Sequence, residues 1–132
     1  MRAERLSDAS RDHINGISEC IIGCAFRVAN TLGHGFLERV YENALAHEIH
    51  LAGLTVEQQK AIEVRYRSIV VGEYVADLVV EGCVIVELKA VREMGESSRA
   101  QCVNYLKATG LPLCLLINFG NPHIEVKRII CG

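Results

Sequence analysis

Residues 83–91 read Cys-Val-Ile-Val-Glu-Leu-Lys-Ala-Val, CVIVELKAV. Aliphatic residues fill both sides of the alternation, so the run reads as a central strand of a sheet that is covered on both faces. Glu87 and Lys89 break that pattern. They are two positions apart and therefore share a face. An ionised group buried alone costs several kcal/mol, so these charges need partners.

The nearest partner lies upstream. GEYVADLVV, residues 72–80, reads as a strand joined to CVIVELKAV by a hairpin turn at Glu81-Gly82. Asp77 and Glu87 are symmetric about Gly82. With a three-residue loop or a bulge at the glycine, Val80 opposes Val84 and Asp77 opposes Glu87, with Cβ atoms roughly 5 Å apart. A strict two-residue turn would put the two acids on opposite faces. Two carboxylates that close repel each other. Lys89 can offset one of them, and the other asks for a proton or a cation. A hard ion, Mg2+ or Mn2+, favours carboxylate oxygen, a backbone carbonyl such as that of Leu88, and water. Such an ion can hold a phosphate oxygen and activate a water. Lys89 would then position the water or stabilise developing charge. The same three residues could also form an ion-pair network with no chemistry.

Outward from this hairpin the pattern is mixed. Ile14, Ile17, Ile21, Ala25, Val28 and Leu32 recur at helical spacing, which predicts a helix over Asp8–Leu32 with Ser7 or Asp8 as N-cap. Gly33-His34-Gly35 stops it. A second helix is expected over Phe36–Ala52, with Leu37, Tyr41, Ala44, Leu45 and Ile49 facing inward and Gly53 as its end. Residues 55–67 read as a strand. SSRAQCVNYLKATG reads as a helix running from a serine N-cap to Gly110. LPLCLLINFG and HIEVKRII are two further strands, turning at Gly120-Asn121-Pro122. The order α-α-β-β-β-α-β-β, with no repeat and no linker, predicts one α/β domain over residues 1–132: a mixed β-sheet flanked by helices on both faces.

Composition sets limits. At 132 residues the chain suits one core. No apolar run follows the N-terminal arginines as in a secretory signal, and none approaches a membrane span, so a cytoplasmic protein with no membrane contact is expected. The six cysteines lack Cys-x-x-Cys spacing and read as small buried thiols. His47 and His50 are three apart on the polar side of the second helix, not a zinc motif. A net charge of −2 means that any contact with a polyanion must use a local basic patch or a bound cation.

Asp77 followed after a hairpin by Glu87-Leu88-Lys89 resembles the Asp…(Asp/Glu)-x-Lys signature of the PD-(D/E)XK nuclease-like superfamily. GFLERVY, Gly35 to Tyr41, resembles the motif of the GxxExxY protein family in that superfamily, and the likeness covers roughly Ile14 to Ile130. Gln101 and Tyr105 resemble the Q-x-x-x-Y helix motif of recombination-type exonucleases. Ala76 stands where the superfamily's name has proline. The resemblance implies a restriction-endonuclease-like αβββαβ core with an extra N-terminal helix. It implies Asp77, Glu87 and the Leu88 carbonyl as metal ligands, Lys89 as the catalytic lysine, Glu38 as a helix-borne acid, and Gln101 and Tyr105 beside the site.

From the residues themselves, Glu38 also fits a first-turn acid favoured by the helix dipole, and Gln101 and Tyr105 share one helix face. Arg92, Arg99, Lys107 and Arg39 are candidates for a phosphate track. No base-reading motif is present. The expectation is therefore an Mg2+- or Mn2+-dependent nuclease acting on nucleic acid, with DNA as the expected polymer. The alternative is an inactive nuclease-fold module that binds nucleic acid or a protein partner. The small basic complement also suggests that a partner or a second copy of the chain completes the groove.

Overall fold

The computed structural model describes residues 7–130. Elements follow in the order α1 (Asp8–Leu32), α2 (Glu38–Leu51), β1 (Val56–Tyr66), β2 (Ile69–Val80), β3 (Val84–Lys89), α3 (Glu96–Thr109), β4 (Leu113–Asn118) and β5 (Glu125–Ile130). The five strands form one sheet in the order β1-β2-β3-β4-β5. Only β3 and β4 run parallel, as their connection through α3 requires. The sheet is therefore mixed, as expected.

Both faces are covered. On one, Ile14, Ile17, Ile21 and Val28 of α1 and Tyr41, Leu45 and Ile49 of α2 pack on Leu78, Val80, Val86, Leu88, Leu115 and Ile117. On the other, Cys102, Tyr105 and Leu106 of α3 pack on Val79, Ile85, Cys114 and Leu116. Every residue of β4 is buried, and all of β3 except Lys89. That is why these two strands carry apolar residues at every position and polar ones only where chemistry or hydrogen bonding asks for them.

Several boundaries differ from the sequence reading, each for a local reason. The Ser7 hydroxyl caps α1 by accepting from the Ser10 N–H at 3.1 Å. Helix α2 begins at Glu38, two residues later than expected, because Leu37 is extended, with φ −67 and ψ 152, outside helical space. Leu37 is then its N-cap and stands 81% exposed instead of facing inward. Helix α3 takes Gly95, not a serine, as N-cap. Strand β2 starts at Ile69, because Arg67 and Ser68 form a two-residue turn with both φ values positive, 48° and 70°. No glycine or asparagine marks that turn. Five described cysteines are free: Cys24, Cys102 and Cys114 are buried, and Cys20 and Cys83 half-buried. Cys131 lies outside the described residues. Among the described residues no helix is long and apolar enough to cross a membrane.

The β2–β3 connection is the three-residue loop Glu81-Gly82-Cys83, closing on the pair Val80↔Val84. Glu81 and Gly82 both have positive φ, 53° and 64°. The Glu81 carboxylate accepts from the Thr55 N–H at 2.7 Å and the Thr55 hydroxyl at 2.6 Å, which ties the loop to the end of the α2–β1 connection. This loop length puts Asp77 and Glu87 at matching positions on adjacent strands.

Candidate active site

The sheet opens where the acids sit. Pairing of β2 with β3 runs from Val80↔Val84 to Leu78↔Val86 and stops there. Pairing of β1 with β2 passes from Gln58↔Leu78 to Lys60↔Ala76 and skips the position of Asp77. Side chains take over the missing backbone bonds. The Asp77 N–H donates to Glu87 Oε1 at 3.0 Å, and the Leu88 N–H donates to Asp77 Oδ2 at 2.9 Å. The two carboxyl groups lie within hydrogen-bonding reach of each other.

Their electrostatics follow from that enclosure. Burial, and then the Asp77 charge, push the Glu87 carboxyl up to about 9. Burial, and then the Glu42 carboxylate, push Asp77 up, while the Leu88 N–H holds it back. Burial and Asp77 also raise Glu38, which projects from the first turn of α2 and is half-buried. Four acidic side chains, those of Glu38, Glu42, Asp77 and Glu87, thus act on one another here, and the Lys89 charge acts on Glu38 and Asp77.

Lys89 offsets part of the rise at Asp77 and Glu38 through its charge, but from a distance. Among the described residues it forms no ion pair within 4.0 Å. Its Nζ instead donates to Gln101 Oε1 at 3.4 Å. Gln101 Nε2 donates to the Tyr105 hydroxyl at 2.9 Å, and that hydroxyl donates to the Val75 carbonyl at 3.3 Å. The i, i+4 pair on α3 is thereby a bracket from the lysine to the strand that bears Asp77. Tyr105 is 4% exposed and also part of the core.

The Gly35-x-x-Glu38-x-x-Tyr41 stretch has a plain physical reading. Gly35 makes the turn, and Glu38 opens the helix. Fully buried Tyr41 donates to the Gly33 carbonyl at 2.6 Å and accepts from the Phe36 N–H at 3.2 Å. Its ring stacks on Phe119 at 4.8 Å between centroids. The Phe119 N–H in turn donates to the Lys89 carbonyl at 2.8 Å, so the helix that carries Glu38 and the strand that carries Lys89 share one anchor.

The structure adds residues that the sequence reading missed. Asn118, fully buried, accepts from the N–H groups of Val91 and Gly120 at 3.1 and 3.0 Å and donates to the Val91 carbonyl at 2.9 Å. Gly120 lies so close that a Cβ there would fall 2.1 Å from the Val91 oxygen. Together they clamp the chain just after Lys89. Asn118 is a polar residue in an apolar strand, the same signal that singled out Glu87. Glu42, 2% exposed, accepts from Gln58 and Gln59 at 2.9 and 2.8 Å. Its sign in the sequence was its place one turn after Glu38.

The expected phosphate-track residues Arg92, Arg99, Lys107 and Arg39 are all exposed. Only Arg39 approaches the acids, with Nε 3.8 Å from Glu42 Oε1. Among the described residues no three acidic, histidine or cysteine side chains already form a metal cage. The donor set nonetheless suits a hard cation: Asp77 and Glu87 are close, oriented by main-chain N–H groups and, among the described residues, free of any ion pair.

A family model described as the PD-(D/E)XK nuclease superfamily matches residues 15–129. No curated protein and no solved structure matches the chain.

Proposed function

The chain belongs to the PD-(D/E)XK nuclease superfamily, and from that premise we propose that it is a divalent-metal-dependent nuclease that hydrolyses phosphodiester bonds, with DNA as its polymer. The observation that carries the reading is the meeting of Asp77, Glu87 and the Gln101-held Lys89 in one opening of the sheet. The GxxExxY family is the branch we assign it to, on Gly35, Glu38 and Tyr41.

Asp77, Glu87 and the Leu88 carbonyl would hold Mg2+ or Mn2+, with Glu38 supporting. When bound, such an ion supplies charge neutralisation for a phosphate and a more acidic water. The chain's own residues do the rest. Lys89 brings a positive charge to a phosphate that the neighbouring acids would otherwise repel. Gln101 fixes the direction of its ammonium, and Tyr105 fixes Gln101. Asn118 sets where the strand ends and so where Lys89 starts. Arg92, Arg99, Lys107 and Arg39 steer the backbone of the polymer.

Purified protein incubated with Mg2+ or Mn2+ and single- or double-stranded DNA, with RNA in parallel, should cleave DNA and lose that cleavage in Lys89→Ala. Equal background in the two proteins would end the enzymatic reading. Salt-sensitive binding without turnover would point to the inactive module instead.

A second copy of the chain has a surface to use. The β1–β2 hairpin extends past the end of β3, and Tyr66, Ile69 and Val71 on it are each more than half exposed. The outer strand β1 is shielded by exposed Lys60–Glu57 and Arg65–Glu63 pairs, whereas Ile69–Val75 carries only Glu73 as a charge. Light scattering would show a dimer that Val71→Lys weakens. A monomeric wild-type protein would remove this part of the proposal.

A further inference from the structure

Among the described residues, four other than glycine have positive φ: Gln59, Arg67, Ser68 and Glu81. The last three belong to hairpin turns. Gln59 lies inside strand β1 at φ 52, where an L-residue is strained. A left-handed residue inside a strand is a place to look for function.

The side-chain geometry gives the reason. Consecutive strand residues point to opposite faces. Gln58 and Gln59 nevertheless both reach the buried Glu42 carboxylate, with Gln58 Nε2 donating to Oε2 at 2.9 Å and Gln59 Nε2 donating to Oε1 at 2.8 Å. The left-handed backbone at Gln59 is what turns two neighbouring amides onto one carboxylate. From there Gln59 Nε2 also donates to Asp77 Oδ1 at 3.4 Å. At this level β1 and β2 leave their ladder. The Asp77 carboxylate is therefore gripped from two sides, Oδ2 by the Leu88 N–H and Oδ1 by Gln59.

We propose that Gln59 is a positioning residue: its strained backbone and its amide, braced against Glu42, fix the rotation of the Asp77 carboxylate. What that carboxylate is for rests on the nuclease reading above; that Gln59 orients it does not. Gln58 makes the control, since it grips Glu42 without touching Asp77.

The test uses the full chain carrying Gln59→Gly, Gln59→Met and Gln58→Ala, with two measurements. Hydrogen exchange at the Leu88 amide, followed by NMR in metal-free buffer, reports whether Asp77 still accepts that bond. Calorimetric titration with Mn2+ alone reports the donor set. Gln59→Gly relieves the backbone strain, so the protein stays folded. Even so, protection of the Leu88 amide should fall about tenfold and Mn2+ affinity about tenfold, the usual effect of losing an orienting partner. Gln59→Met keeps the side-chain length without the donor and should show the same losses. Gln58→Ala should leave both measurements within twofold of wild type. Unchanged Leu88 protection in both Gln59 variants, or an equal loss in Gln58→Ala, would overturn the assignment. Wild-type protein that takes up no Mn2+ would count against the metal reading, while the Leu88 amide would still decide the role of Gln59.

Discussion

Glu87→Gln should make the metal-free protein more stable at alkaline pH. The Glu87 carboxyl is 3% exposed, beside a second carboxylate, and pushed up from 4.5 to about 9. The folded protein therefore holds a proton there that the unfolded chain gives up near 4.5. The slope of stability with pH follows the protons bound in the unfolded state minus those in the native state. That difference is negative across the window, so this group's stability is fully present below 4.5 and is lost as pH rises toward 9.

One pKa unit is worth ~1.4 kcal/mol, which puts the loss by pH 8 at about 3–5 kcal/mol, large against a typical 5–15 kcal/mol total. Glutamine is isosteric and never ionises. Its carbonyl can still accept from the Asp77 N–H, and its amide can donate to the Asp77 carboxylate. Thermal unfolding in EDTA at pH 5, 6.5 and 8 should give nearly equal Tm values for the two proteins at pH 5. The variant should gain about 10 °C by pH 8, taking ~3 °C per kcal/mol for a chain of this length. Saturating Mn2+ should narrow the gap by raising only the wild type, by ~2.7 kcal/mol at one hundred times its Kd. A Tm difference that does not change with pH would refute the shared-proton argument.

Other substitutions separate chemistry from scaffold. Lys89→Ala should abolish cleavage while Tm shifts by no more than about 2 °C, because the half-buried ammonium holds only the Gln101 bond; a large Tm loss in thermal scans would make the lysine structural instead. Asn118→Ala leaves two N–H groups and a carbonyl around Val91 without their partner, so denaturant unfolding should show a loss of about 2–4 kcal/mol, and an unchanged midpoint would remove the clamp. Asp77→Asn and Asp77→Ala should both lose Mn2+ binding in calorimetry. Only the alanine variant deprives the Leu88 N–H of its acceptor, and it should unfold several degrees lower; equal Tm values would mean that bond carries no stability.

The sequence disclosed the fold because hydrophobic period and turn chemistry agree along most of the chain. Helix α1 runs over the expected residues, and the full burial of β3 and β4 is what their unbroken apolar runs mean. The two acids could be matched across the hairpin because polar residues inside apolar strands stand out. Elsewhere the chain gave no such contrast. Arg67-Ser68 turns without glycine, Gln59 is strained inside an ordinary strand sequence, and Lys89 prefers an amide to the acids beside it. Backbone signs of φ and choices among hydrogen-bond partners depend on contacts far apart in sequence, so one chain read alone does not carry them.

The direction of Lys89 also weighs on why the charges are there at all. A purely structural network would pair the ammonium with Asp77 or Glu87, since a buried acid gains most from a nearby cation. Here the lysine stands off, the acids crowd each other, and backbone pairing at their level gives way to carboxylate bonds. The aliphatic pairs Leu78–Val86, Val79–Ile85 and Val80–Val84 fill the neighbouring ladder positions at no electrostatic cost, and the same solution was open at Asp77 and Glu87. Keeping two buried acids side by side, one of which must hold a proton, and a separately aimed lysine lowers the stability of the empty protein. That cost has a physical explanation if a doubly charged ion and a phosphate occupy the opening in the working state, one relieving the acids and the other taking up the lysine.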